Sequence, residues 1–265
     1  MIPPLPFENF DPDDLGELAL ALRINESEYA NEYPVHQHRK GQLIVALRGA
    51  VTCQVPNAWW MVPPACGVWV PAGVPHSNRA TTNAQLLFFF VDNGFVELPD
   101  HCCTLSISPV LREMIFHLPE LQERPELGAH RERFVRVLVE QLSMMPIEQF
   151  HLPVSENPKI HQIANALAKN PHDRRTLAEW AKLVAVSERS LARLMLHETG
   201  LTFGRWRQQL HLIVALRELA NNATVQQVAD DLGYESVPAF ITMFKKALGR
   251  PPAQYFLEIK TVSGK

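Results

Sequence analysis

Three histidines and a glutamine stand at spacings that could gather ligands. His36 and His38 are separated by one residue, Gln42 follows after three more and Gly49 after another six; further on, Pro71, Gly73 and His76 read as PxGxxH. Alternate residues of a strand point to one face, so an HxH pair can present both imidazoles inward. Neutral imidazole nitrogens and an amide oxygen suit a divalent transition metal such as Zn, Ni, Fe or Cu. Gln42 brings no negative charge, which weakens such a site. The same histidines would serve equally as hydrogen-bonding groups of a barrel interior, or as walls of an effector cavity without metal. No further acid, base or nucleophile accompanies them in a catalytic pattern. The four cysteines, Cys53, Cys66, Cys102 and Cys103, include a vicinal pair but no CxxC. Their spacing supports neither a disulfide framework nor a thiolate zinc site, and a reducing cytoplasm is the expected compartment.

A second chemistry belongs to Arg189 and Arg193. They lie four residues apart, on the side of an amphipathic stretch away from Leu191, Leu194 and Met195 and near its start. A recognition helix meets base edges in the major groove with that part of its surface, where arginine donates a forked pair of hydrogen bonds to guanine. Further cations at Arg174, Arg175, Lys182, Arg205, Arg207, Lys245 and Lys246 could neutralise phosphates, which fixes position without reading sequence.

The elements that must hold those arginines repeat. Thr176 with Glu179, and Thr224 with Gln227, each form a capping box at a helix start. From each threonine the matches run through Leu177 and Val225, then Ala181 and Ala229. Ser187 and Ser236 can cap the next helices, and Leu191/Phe240, Met195/Phe244 and Gly200/Gly249 follow at equal intervals. This spacing predicts two helix-turn-helix units. The turn holds Gly233 in the second copy and Ala185 in the first, so its backbone is expected to stay within ordinary dihedral limits. Phe203 to Leu219, with Trp206, Leu210, Ile213 and Leu216, reads as an amphipathic helix connecting the copies.

Upstream the period changes. QLIVALRG, VTCQVP, WWMVPP, GVWVPAG and QLLFFFVD are short runs broken by proline and glycine, which predicts a barrel or sandwich. Trp59, Trp60, Trp69, Phe88 and Phe90 are the candidates for an effector pocket, although any barrel core contains such residues. Two amphipathic helices are expected over Ser108–Leu121, with Leu111, Ile115 and Leu118 on one stripe, and over Gly128–Met145, with Phe134, Leu138 and Leu142. Pro146 to Pro158 reads as a linker.

Composition and charge agree with two dissimilar parts. Of 265 residues, 46% are hydrophobic and 20% charged, as in a soluble globular protein. The longest apolar run, Leu86 to Val91, is far short of the roughly 20 residues that cross a bilayer, and the first residues lack the pattern of a secretion signal. Residues 1–155 carry 10 Lys and Arg against 18 Asp and Glu, whereas residues 156–265 carry 15 against 10. Only the second part would approach a polyanion.

The segment from Leu177 to Tyr255, through LAEWAKLVAVSERSLARLM, VADDLGYES and FKKALGRPPAQYF, resembles the DNA-binding domain of the AraC/XylS family of bacterial transcription regulators. The whole chain is similar to the subgroup of that family concerned with 2-nitroimidazole resistance. The resemblance implies base reading by Arg189, Ala192 and Arg193 in the first copy and by Val237, Pro238, Ala239 and Thr242 in the second. Polar and basic side chains are common at the latter positions in relatives. Here Thr242 alone can hydrogen-bond through its side chain, so unequal reading is expected. The two histidine motifs resemble those of cupins, with Gln42 replacing the family's glutamate.

The expected fold is a two-domain α+β chain with a cupin-like β-barrel and an all-α tandem helix-turn-helix domain. Residues 1–104 would form the effector-sensing barrel, 105–145 a helical dimerisation segment, 146–158 the linker and 159–258 the DNA-binding domain. The expected function is sequence-specific transcription regulation by a homodimer on double-stranded DNA, controlled by a small-molecule effector or a metal, with RNA polymerase as a further partner and no membrane association. Two alternatives are a metal-dependent cupin enzyme fused to a DNA-binding tail and a barrel that serves only as a dimerisation platform.

Overall fold

The structure is a computed structural model describing residues 11–14, 16–24, 32–56, 58–62, 66–81, 83–92, 94, 96–148 and 151–256. The chain divides into two compact units, formed mainly by Met1–Val55 and Trp60–Phe150 and by Pro56–Trp59 and His151–Gly264.

In the first unit the Val-, Leu- and Phe-rich runs form strands β1 (Ala19–Ile24), β2 (Glu32–His36), β3 (Gly41–Arg48), β4 (Val51–Val55), β5 (Ala58–Val62), β6 (Cys66–Val70), β7 (His76–Ala80), β8 (Gln85–Val91) and β9 (Cys103–Ser106). Helices α1 (Pro109–Gln122) and α2 (Gly128–Ser143) follow, then the short strand β10 (Ile147–Glu148). One sheet orders β1-β8-β3-β6-β9-β10, and the other runs β5-β4-β7-β2 within this unit. Register decides which side chains share a face, because a shift of one residue reverses every orientation. Gln42 lies opposite Phe90 and Val70, Ile44 opposite Phe88 and Val68, and Val68 opposite Thr104. Those residues therefore share one face. Leu43, Phe89, Trp69 and Cys103 share the other.

Helix α1 lies against β1: Gln122 Oε1 accepts from the Ala21 amide at 2.7 Å and Arg23 donates to the Phe116 carbonyl at 3.1 Å. Ser108 caps α1, accepting from the Leu111 amide at 3.2 Å, and Leu111, Ile115, Leu118 and Leu121 are buried. In α2 the buried stripe is Val135, Leu138, Val139 and Leu142, one residue round from the expected one. Phe134 instead sits half-buried at the edge, 5.9 Å from the His117 ring. Between β3 and β4, Gly49 has φ +63°, and a Cβ there would lie 2.4 Å from Thr81 Oγ1 and 2.5 Å from Asn83 Oδ1, so only glycine fits. The segment read as a linker is partly regular: β10 pairs with β9, and β11 (His151–Pro153) accepts side-chain hydrogen bonds from the second unit's Trp206 and Gln209.

The second unit contains α3 (Pro158–Lys169), α4 (Leu177–Leu183), α5 (Glu188–Thr199), α6 (Phe203–Ala220), α7 (Val225–Asp231) and α8 (Val237–Leu248). Both capping boxes form as read, since partners three residues apart need no distant structure. Gly200 and Gly249 end α5 and α8 in the left-handed region, at φ 71° and 74°. Helix α6 differs from its expectation as amphipathic. Every residue from Leu210 to Leu216 is buried, because helices pack around it from both copies.

The expectation for the turn is overturned. Ala185 has φ +54° and Gly233 φ +71°. In both copies the residue at this point donates to the carbonyl three residues back, and the next residue donates five back: Ala185 to Lys182 and Val186 to Ala181, Gly233 to Asp230 and Tyr234 to Ala229. This is a Schellman closure, and its hydrogen bonds impose the left-handed conformation on whatever residue stands there. Alanine accepts it at a cost of about 1–2 kcal/mol.

Ala185→Gly should remove that cost while adding about 0.4–1 kcal/mol of unfolded-chain entropy, so a net stabilisation of roughly 0.5–1 kcal/mol is expected in urea unfolding. Gly233→Ala should go the other way by more. Its Cβ would meet His172 Nδ1 and the His172 carbonyl at 3.2 Å and Arg174 Cδ at 3.3 Å. A pH dependence follows from His211 of α6, whose ring meets that of Tyr234 edge to face at 5.6 Å. Burial first, and then the charge of Arg207, push its pKa down to about 4. The folded chain keeps this imidazole neutral while the unfolded one takes a proton near pH 6.5. Its contribution is therefore complete above that pH and is lost on acidification toward pH 4, at about 1.4 kcal/mol per pH unit. His211→Phe should flatten this limb when urea midpoints are compared between pH 6.5 and 4.5.

Candidate functional site

In the first unit the histidine motifs converge. Ring centroids lie 4.3 Å apart for His36 and His76, 5.1 Å for His38 and His76, and 5.9 Å for His36 and His38. One nitrogen from each of the three falls within 4.8 Å of the others. Strand alternation is not the full reason. β2 ends at His36, and His38 belongs to the turn before β3. The Gly73 amide, at φ +72°, donates to the His38 carbonyl at 2.8 Å and draws the PxGxxH loop onto that turn. Asp13 supports it from the other side by accepting from the Arg39 and Lys40 amides.

Each imidazole is oriented through Nδ1 by a carbonyl two residues away: Pro34 for His36 at 2.9 Å, Lys40 for His38, and Val74 for His76 at 2.9 Å. A ring that donates through Nδ1 leaves Nε2 with a lone pair. For His38 and His76 that nitrogen faces Gln42 Oε1, at 3.3 and 2.8 Å. Burial holds His36 below its usual range and pushes His76 down to about 3, with the neighbouring imidazoles adding to it. Neutral rings are what a metal requires.

The effector-pocket candidates separate. Phe88 and Phe90 share the face of Gln42, and His38 meets the edge of Phe90 at 5.2 Å. Trp69 is on the opposite face, with Nε1 donating to the Pro99 carbonyl at 2.8 Å. Trp60 of β5 is buried and Trp59 half-buried. Sequence reading missed Asn78 and Thr104, both buried. The alternation from His76 to Asn78 was a signal for the first, whereas Thr104 needed the register of β6 with β9.

In the second unit Ser187 caps α5, accepting from the Ser190 amide at 3.1 Å, and Leu191, Met195 and Thr199 are buried behind it. Arg189, Ala192 and Arg193 are exposed. Among the described residues neither arginine has a hydrogen-bond or ion-pair partner. On α8, Pro238, Ala239 and Thr242 are exposed and Val237 is half-buried. The Thr242 hydroxyl donates to the Pro238 carbonyl at 2.8 Å, so its proton is committed within the helix. Lys182, Arg205, Lys245 and Lys246 are exposed.

Three of the cations have intramolecular work. Arg175 forms a forked pair with Asp173 and lies over the Trp180 ring at 4.2 Å. Arg207 donates to the Arg175 carbonyl at 2.9 Å, and Arg174 donates to the Gly233 carbonyl. Together they tie the segment before α4 to α6 and to the second turn. The Asp173 carboxyl is held below its usual range, chiefly by its hydrogen bonds from Arg175.

Residues 180–258 match a helix-turn-helix domain family and residues 21–91 match the AraC-like ligand binding domain family. The HTH-type transcriptional regulator NimR of Escherichia coli (strain K12) is 49% identical over 259 residues, which span 98% of this chain and 95% of NimR. The HTH-type transcriptional regulator RipA of Corynebacterium glutamicum is 30% identical over 103 residues, 39% of this chain and 31% of RipA. Among solved structures, ToxT from Vibrio cholerae O395 aligns over 93% of this chain and 98% of ToxT, with a TM-score of 0.40 and 10% identity.

Proposed function

The chain belongs to the AraC family of helix-turn-helix transcription regulators, and on that footing we propose that it reads its operator chiefly through α5. It is a DNA-binding regulator with an AraC-like ligand-binding domain ahead of its helix-turn-helix domain, and not an enzyme. One observation carries the reading: two unpartnered guanidinium groups, Arg189 and Arg193, one turn apart near the start of a helix whose back is buried. Such a fork can discriminate guanine. Helix α8 offers Val237, Pro238, Ala239 and Thr242, whose contribution is contact with thymine methyls and close approach to phosphate. Lys182, Arg205, Lys245 and Lys246 supply phosphate contacts, while Arg174, Arg175 and Arg207 brace the fold.

Effector sensing is assigned to residues 1–104, pairing of two copies to 105–145 and DNA binding to 159–258. The pairing is supported by exposed Val137 and Met144 at the end of the first unit. The implied partners are operator DNA, a small-molecule effector, a second copy and, for activation, RNA polymerase, all in the cytoplasm.

A metal in the first unit is favoured by one specific feature. His38 Nε2, His76 Nε2 and Gln42 Oε1 are three lone pairs turned toward one another, with both Nδ1 protons committed elsewhere. A divalent transition metal would relieve this, with His36, His38, His76 and Gln42 as its holders. A reversed Gln42 amide, donating to both rings, would relieve it as well.

Arg193→Ala or Arg189→Ala should weaken specific binding by about 1–3 kcal/mol and blur preference at one base pair, and Val237→Ala should do less. Titration against a panel of base-substituted operators measures this; equal losses from α5 and α8 would overturn unequal reading, and affinity indifferent to salt would overturn DNA binding by these cations. Untagged protein dialysed against micromolar zinc should retain one equivalent, lost in His38→Ala. A metal-free wild type would leave the reversed amide as the answer.

A further inference from the structure

Two buried side chains of the first unit are left without partners. Asn78, 1% exposed, has neither its amide oxygen nor its nitrogen hydrogen-bonded among the described residues, and the hydroxyl of Thr104, 0% exposed, is likewise unpaired. Unsatisfied buried polar groups are rare in folded chains, and these three atoms call for a partner from outside.

Register shows where they point. Asn78 follows His76 by two residues on β7 and so lies on its face, opposite Cys53 of β4. Thr104 lies opposite Val68, which lies opposite Ile44, which lies opposite Phe88, so it shares the face of Gln42 and Phe90. Gln42 meets His76 across the gap at 2.8 Å, so these two faces look at each other. Both unpaired groups therefore turn toward the facing sheet, on the faces that carry His76 and Gln42.

We propose that Asn78 and Thr104 form the polar contacts of the effector site, and that the effector is an uncharged small molecule carrying a hydrogen-bond donor beside an acceptor on a planar apolar body. This rests on the reading of the first unit as a ligand-binding domain. Asn78 offers one acceptor and one double donor, matching an amide-like edge, while Phe88 and Phe90 on the facing sheet suit a flat apolar body. Charge argues for neutrality. Cys53, opposite Asn78, is fully buried, and burial raises its thiol far above its usual range. Among the described residues of these two faces the one carboxylate is Glu148, opposite Thr104 on the sheet's edge strand and half-exposed. An ionic ligand held by Asn78 and Thr104 would be buried with no adequate counter-charge from these side chains.

The test uses the full chain and three probes of one shape: benzamide, benzoate and benzylamine. Saturation-transfer NMR should detect benzamide on the wild type and neither charged analogue. Asn78→Leu should abolish the benzamide signal and raise the melting temperature by a few degrees, because it removes an unpaired buried amide. Thr104→Val should weaken the signal and raise the melting temperature less, and it serves if Asn78→Leu fails to fold. Three results would overturn the proposal: a lowered melting temperature in both variants, a benzamide signal unchanged by them, which would assign the amide to internal water, or no preference for benzamide over the ions. Retention of mixed-sequence duplex at low salt by wild type and variants keeps the regulator reading separate, since its loss from the wild type would sink that reading instead.

Discussion

Helix α6 must be dry on every side, and the DNA-binding unit is arranged around that requirement. A helix buried from Leu210 to Leu216 cannot satisfy itself against one neighbour, so it draws α5 onto one flank and α7 onto another. Helix α5 is held against this element directly and α8 through α7, which favours the fixed spacing that reading two stretches of major groove depends on. The arginine ties add to this. Arg207 reaches from α6 to the Arg175 carbonyl, and Arg174 reaches the second turn at Gly233. Both bonds fall to main-chain oxygens, whose positions do not vary with rotamer, which makes them well suited to fixing orientation.

This explains why cations of one sequence class divide into two physical classes. An arginine near an unsatisfied carbonyl or an ordered carboxylate is held along the surface of its own chain, as Arg175 is by Asp173 and the face of Trp180. Arg189 and Arg193 have neither. They project from a helix whose N-cap and buried stripe are already complete, so their donors remain for another molecule. On α8 the equivalent surface has been given to Pro238, Ala239 and a threonine hydroxyl bound to its own helix. Such a surface can lie close to the duplex while reading little of it.

How much was legible in the chain depended on how far apart the deciding partners lie. Capping boxes and glycine stops are settled within a few residues, and they were read with the correct residues. The histidine motifs were legible as a cluster because two loops carry them, although a turn rather than strand alternation brings in His38. Ala185 was misjudged because propensity is a weak term, about 1–2 kcal/mol, against the two hydrogen bonds of the turn. Trp69, Asn78 and Thr104 could not be oriented without the register between strands distant in sequence, and one residue of register separates the interior from the outer face. Nor could sequence sort the arginines, since their partners lie up to 59 residues away.

Regulation needs a ligand to favour one arrangement of the chain over another. Each buried polar group without a partner destabilises the ligand-free form by about 1–3 kcal/mol, and a bound molecule that satisfies Asn78 and Thr104 recovers part of that. Couplings between sites are typically about 1–3 kcal/mol, a 5- to 150-fold change in affinity. The energy recovered at the two side chains is of that size, and it drives a switch to the extent that one arrangement presents the pair to the ligand better than the other. Chemistry also selects the effector. A ligand lacking the donor or acceptor would leave the amide unpaired, and a site built to hydrogen-bond rejects such an analogue far more strongly than an apolar pocket rejects a missing methylene. A pair of unsatisfied buried groups thus supplies specificity and binding energy from the same atoms.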